Sequence, residues 1–373
     1  MKAAAQFSSP LWRDKSLAAS ALKEMEKLAA EAAATTGGTV NFMEVCGTHT
    51  MAIAASGMRR LFPKTLRMLS GPGCPVCVTS QGDIDRVLAL AEIPGVIITT
   101  FGDMMKVKGS KGLDLHALRE KGADVRVVYS PLDAVALAEA EPARQVVFIG
   151  VGFETTAPVI GGAVARAKKA GLKNFSSTAF FKLVPPALEL LLSDPENRIH
   201  GFMLPGHVSA IIGLEPYRFV AEKYKVPCVV TGFEPLDILA GINMLLRQRL
   251  SGLPSVEDEY FRAVKAKGNP AARKLMEEVF SVSEASWRAI GTLPGTGLAF
   301  SKAYEAYDAV KRFRIPYSDA PEPKGCLCGR ILLGKALPPD CPLFGRRCTP
   351  SSAVGPCMVS SEGACAAWFK YGG

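Results

Sequence analysis

The chain has 373 residues, 48% apolar and 21% charged. That composition excludes intrinsic disorder as the main state and provides core for two or three domains. Lys and Arg outnumber Asp and Glu by 44 to 35, a net charge of +9, but no run of five basic residues occurs, so nucleic acid is not an expected partner; an acidic protein or a small anion explains the charge as well.

From the N-terminus, Met1–Trp12 lacks the apolar core of a signal peptide and leads into Arg13, Asp14 and Lys15, so a cytoplasmic address is expected. Leu17, Ala21, Met25, Leu28 and Ala32 recur at helical spacing over 14–34, and Gly37-Gly38 ends that helix. Short apolar runs follow at 41–46, 66–70, 95–101, 124–129, 145–151, 176–181, 201–204 and 226–231. Eight strand-like runs alternating with helices predict a parallel α/β architecture. The most apolar stretch, Val87–Phe101, is broken by Glu92 and Pro94, so no membrane span is expected.

A shift of 104 residues lays Thr100–Asp103 on Leu204–His207, Pro131-Leu-Asp133 on Pro235-Leu-Asp237, and the strand before Cys46 on the strand before Gly150. This weak repeat predicts two similar α/β domains, 38–140 and 141–248, facing across a cleft. Residues 1–37 form a helix expected to pack on a third region, 249–373, which reads as helical and then dense in Pro, Gly and Cys. Such a tail has little apolar core and calls for a bound metal centre.

Six unusual segments sit at carboxyl ends of the strands, where parallel sheets bind ligands. They begin at Cys46, Gly71, Thr100, Gly152, Pro205 and Gly232. In Cys46-Gly-Thr-His-Thr50, Cys46 is a candidate nucleophile or metal ligand, Thr48 and Thr50 supply hydroxyls, and His49 a titratable donor; a helix starting there would favour the thiolate. Cys74-Pro-Val-Cys77, after Gly73, suits a reversible disulfide or half of a metal site. Glu154, with Thr155 and Thr156, suits a ligand or a proton relay, or equally a first-turn helix Glu. Asp103 and His207 occupy equivalent places in the two halves. Asp133 and Asp237 read as helix caps and Cys228 as core. Six cysteines crowd between Cys326 and Cys365. Four thiolates there suit a [4Fe–4S] cluster or Cys₄ zinc, and the spacing leaves open which four of the six bind.

Taken together, Cys46–Thr50, Gly71–Cys77, Gly152-Phe-Glu-Thr-Thr-Ala-Pro158, Pro205-Gly-His-Val-Ser209 and the spacing of Cys326, Cys341, Cys348 and Cys365 resemble the HypD family of NiFe hydrogenase maturation factors over nearly the whole chain after residue 38. The resemblance implies a redox-active scaffold that assembles and carries an iron bearing two cyanides and one carbon monoxide, Fe(CN)₂CO. It implies a HypC-type partner that shares the iron and a HypE-type donor of cyanide, in transient complexes of a monomer. Cys46 is then the iron thiolate and Cys74–Cys77 a redox pair. Cys326, Cys341, Cys348 and Cys365 are then ligands of a [4Fe–4S] cluster, with Cys328 and Cys357 extra to that pattern. On this chemistry His49 and His207 are expected to donate to the cyanides, and Asp103 or Glu154 to manage protons. Two other readings of the residues stay open: a stand-alone cluster-dependent disulfide oxidoreductase, and a zinc-stabilised module that binds a small anion.

Overall fold

In the computed structural model, which describes residues 14–372, Asp14 starts the first helix, Lys15–Thr36, by accepting from the amides of Ser16 and Leu17. Gly37 ends it in the left-handed region, φ 77°. The Met1–Trp12 stretch lies outside the described residues. All eight expected strands form. The thirteen strands among the described residues are β1 (Val40–Glu44), β2 (Leu66–Ser70), β3 (Val96–Thr100), β4 (Asp124–Val127), β5 (Gln145–Phe148), β6 (Val151–Gly152), β7 (Phe175–Ser177), β8 (Phe180–Lys182), β9 (Gly201–Pro205), β10 (Cys228–Thr231), β11 (Val256–Asp258), β12 (Phe280–Trp287) and β13 (Gly291–Phe300).

Two wholly parallel sheets carry the fold. One has the order β11-β10-β9-β1-β2 and the other β4-β3-β5-β7. Strands β3, β9 and β10 are buried along their whole length, as helices on both faces of a parallel sheet require.

This pairing corrects the expected halves at 38–140 and 141–248. The first sheet takes strands from 40–70 and again from 201–258, and the second sheet is built between them. The repeat itself is real in register. Its 104-residue shift carries Ile97 to Gly201 and Phe42 to Val146, and the structure pairs Ile97 with Val146 and Phe42 with Gly201. The two sheets thus share one strand order, with the first permuted: its last two strands precede the second sheet in sequence. Apolar periodicity marks each strand but not which strand it pairs with, because long-range pairing leaves no local trace.

Two further expectations change. The first helix packs not on the third region but along the helix Pro235–Ser251. Its Met25, Ala29, Ala32 and Ala33 share a core with Ile242, Leu245 and Leu246, and Asn243 Nδ2 donates to Ala21 O at 3.0 Å. Small alanines let the two helices approach closely. The region 250–320, expected to be helical, contains the long antiparallel hairpin β12–β13, which extends a third sheet of order β12-β13-β8-β6. Its serines and the preceding charged helix Pro270–Val279 mask the strand pattern. Among the described residues after 316 only short helices form, Cys328–Leu332, Pro338–Asp340, Pro356–Val359 and Ala364–Tyr371; the last packs on the helix Gly47–Ala55.

Met25 is fully buried at the first-helix contact. Met25→Ala should lower the unfolding free energy by about 2–5 kcal/mol in urea denaturation. A near-zero change would show that this helix does not belong to the first sheet's core.

Candidate functional site

In the first sheet the chain leaves β1 toward β2 and leaves β9 toward β10, in opposite directions. The crevice beyond the carboxyl ends of β1 and β9 is therefore the switch point where open α/β sheets bind ligands. Cys46 follows β1 and His207 follows β9. The equivalent crevice of the second sheet lies beyond β3 and β5, after which come Asp103 and Gly150.

Cys46 is the N-cap residue of the helix Gly47–Ala55 and a buried free thiol. Burial and the charge of Glu362 push its pKa up to about 12. Contacts from His49 and Thr48 work the other way. The helix start expected to favour the thiolate is present, and burial outweighs it. Thr50 Oγ1 donates to Glu44 Oε1 at 2.6 Å, and burial raises the Glu44 carboxyl to about 8. Thr48 Oγ1 donates to Glu362 Oε1 at 2.8 Å. Both threonines thus orient carboxyl groups around the thiol.

Gly73 crosses directly over this strand end. A Cβ there would overlap the backbone of Val45 and Cys46, and Gly47 N donates to Gly73 O at 3.2 Å. The next residue, Cys74, is joined to Cys77 by a disulfide. Both are buried, and Cys77 N donates to Cys74 Sγ at 3.2 Å.

His49 is fully buried; its Nε2 donates to Gly232 O at 2.9 Å and its Nδ1 has no partner. Burial lowers its pKa to about 4, so it is neutral. The N–H expected to reach a ligand is thus committed to backbone. His207 is exposed, and Phe233 stacks on both rings, at 4.6 Å from His49 and 4.1 Å from His207.

Asp103 Oδ2 accepts from Ser360 Oγ, Ser361 N and Ser361 Oγ at 2.8–3.1 Å. It anchors the C-terminal segment, whose next residue, Glu362, roofs Gly47 and holds Thr48. Glu154 is buried; its Oε1 accepts from Val184 N at 3.0 Å, and its Oε2 has no partner. It caps the start of the helix Val184–Ser193 rather than its own, and burial raises its pKa to about 7. Thr155 and Thr156 are half-buried beside it, Thr156 packing under Gly152. Asp133 and Asp237 cap helices and Cys228 is core.

Cys326, Cys341, Cys348 and Cys365 are free thiols lining one small cavity together with Cys328 and Cys357, which form a second disulfide. The thiol of Cys365 is raised first by burial and then by the charge of the other three. Among the described residues, no three His, Cys, Asp or Glu side chains close on a single ion position. The helix Pro356–Val359, which carries Cys357, packs on the helix Pro75–Val78, which carries Cys77. The sequence reading missed Glu44, Glu362 and the Cys328–Cys357 pairing, and it marked the segment beginning at Gly232 without assigning Phe233 a role.

Two measurements probe this geometry. Gly73→Ala should destabilise the fold by more than about 3 kcal/mol, since backbone blocks the added methyl; a thermal melt like that of the parent would refute the crossing. Folded Glu154 keeps its proton to about pH 7, whereas an unfolded Glu releases it near 4.5. The stability it contributes is present below pH 4.5 and is lost as pH rises through 7. Glu154→Gln should remove that slope, worth up to about 3 kcal/mol. Comparing the two proteins isolates this group from His49, whose slope has the opposite sign; equal pH profiles would contradict the assignment.

A family model named HypD and described as "Hydrogenase formation hypA family" matches residues 18–372. The chain is 43% identical over 378 residues to the Hydrogenase maturation factor HypD of Rhodobacter capsulatus, covering 100% of this chain and 99% of the relative. It is 45% identical to that of Rhizobium leguminosarum, covering 97% and 94%, and 44% identical to that of Escherichia coli, covering 89% of each. No helix among the described residues is long and apolar enough to cross a membrane. The chain belongs to the HypD family of hydrogenase maturation factors.

Proposed function

We propose that this chain is the scaffold on which the Fe(CN)₂CO unit of a NiFe hydrogenase is assembled and carried, with Cys46 as the iron thiolate. The observation that carries this reading is the convergence at Cys46. Its backbone is crossed by the residue before Cys74, and its helix is roofed by Glu362, three residues before Cys365. Low-spin Fe(II) bearing cyanide and carbon monoxide is a soft centre, and a thiolate is the ligand it favours. Iron binding displaces the proton that burial otherwise keeps on Cys46. His207, exposed beside Phe233, is the titratable donor at the crevice mouth, while neutral His49 orders the wall behind it. A HypC-type partner sharing the iron and a HypE-type donor of cyanide meet the chain at this open end, in transient complexes.

Four free thiols around one cavity, with no charged side chain lining it, form a donor set that fits a [4Fe–4S] cluster held by Cys326, Cys341, Cys348 and Cys365. Bound there, such a cluster supplies one-electron chemistry. Cys74–Cys77 serves as the two-electron pair, its S–S bond opening with two electrons and the protons that the product sulfurs take up. The burial of both sulfurs argues against a stand-alone reductase of other proteins' disulfides.

Infrared spectra of chain purified without oxygen together with a HypC-type partner should show cyanide and carbonyl bands that vanish in Cys46→Ala. Iron without those bands would sink the scaffold reading, and zinc in place of iron would sink the cluster.

A further inference from the structure

The turn of the β12–β13 hairpin is wedged between the two cysteine regions. Trp287 pairs with Thr79 in an isolated antiparallel bridge, and Arg288 N donates to Val78 O at 2.9 Å. The turn is therefore attached by backbone to the residues directly after Cys77. On its other side Ala289 packs against Gly329, where a Cβ would overlap it. Gly329 follows Cys328.

The side chain between these contacts is Arg288, 1% exposed. Its Nε donates to Thr79 O at 2.9 Å, and its Nη1 donates to Gln81 Oε1 at 2.9 Å and to Glu322 Oε2 at 2.6 Å. Its Nη2 has no partner. Ala289 against Gly329 and the bond to Glu322, four residues before Cys326, set the guanidinium beside the segment that forms the cysteine cavity. Glu322, the one ion-pair partner of this cation among the described residues, is about a third exposed. A buried guanidinium paired so partially is costly unless further negative charge meets it, and an unfilled buried donor calls for an acceptor.

We propose that Arg288 is a positioning residue for the redox chemistry of Cys74–Cys77: a buried cation that the hairpin turn holds between that pair and the cysteine cavity, where it stabilises negative charge placed on sulfur. Opening the disulfide takes two electrons. With one proton it leaves a thiol and a thiolate, and the Cys74 sulfur already accepts the Cys77 amide, as a thiolate would. Positive charge nearby makes that reduction easier. The inference rests on the reading of Cys74–Cys77 as a redox pair.

The test is a thiol–disulfide titration of the full chain in dithiothreitol buffers. The Cys74–Cys77 peptide is counted by alkylation and mass spectrometry, and iron and zinc are measured in the same samples. Arg288→Met should move the midpoint to more negative potential by at least tenfold in the equilibrium constant, about 30 mV for a two-electron couple. Arg288→Lys, which keeps the charge and loses the forked bonds, should stay within about threefold of the parent by restoring the field. Glu322→Gln removes the counter-charge at a partly exposed side chain and should move the midpoint in the opposite direction. It keeps the test open where Arg288→Met does not fold. Equal midpoints in parent and Arg288→Met, or shifts of the same sign in Arg288→Met and Glu322→Gln, overturn the role of Arg288 alone. A pair that never opens in the titration overturns the redox reading and this inference with it.

Discussion

The crossing of Gly73 over Val45 and Cys46 is the contact on which the rest of the site depends. Strands β1 and β2 are parallel neighbours in continuous register from Val40 with Leu66 to Glu44 with Ser70, so their loops leave the sheet at one edge. Gly71 N donates to Glu44 O, and the following Gly73 passes at a separation that no side chain permits. The spacing between the lone thiol and the disulfide is thus set by backbone against backbone. Neither the thiol nor the disulfide needs a mobile loop to reach the other's neighbourhood.

That edge is completed by residues more than 300 positions away. Asp103, at the end of β3 in the second sheet, holds Ser360 and Ser361; Glu362 next to them holds Thr48 in the first. The C-terminal segment therefore ties the two carboxyl edges together, its serines donating to the Asp103 carboxylate on one side and its own Glu362 carboxylate accepting from Thr48 on the other. That segment draws its order from these bonds, from the helix Ala364–Tyr371 against Gly47–Ala55, and from Ile331, Leu332 and Met358, which join the main core. The permuted first sheet makes this possible: the chain leaves it after β2, completes the second sheet, and returns at β9 beside β1.

The electrostatics of the site are those of a dry wall. Glu44 and Glu154 are raised by burial, His49 is lowered by burial, and the thiol of Cys46 keeps its proton. Each of these groups is thereby driven toward its neutral form. Arg288 is a buried cation on the disulfide side rather than on the thiol side, paired with Glu322.

Much was legible in the residues alone. Eight strands, the first helix and its end at Gly37-Gly38, and the placement of the Cys46, Cys74 and His207 segments at strand ends all follow from periodicity, glycine and proline, because those signals are local. Even the internal repeat was visible and keeps its register through the pair Ile97 and Val146. What only the tertiary structure decided is how those pieces combine. Strand pairing, the hairpin β12–β13, the seat of the first helix, and the partners Glu362, Phe233 and Arg288 depend on contacts between residues far apart in the chain. The same holds for roles: Asp103 and Glu154 were recognisable as chemically capable carboxylates, but their surroundings make one an anchor for the C-terminal segment and the other a cap for a distant helix. A side chain's type is written in the sequence, whereas its burial and its partners are properties of the packed chain, and these decide what its chemistry is used for.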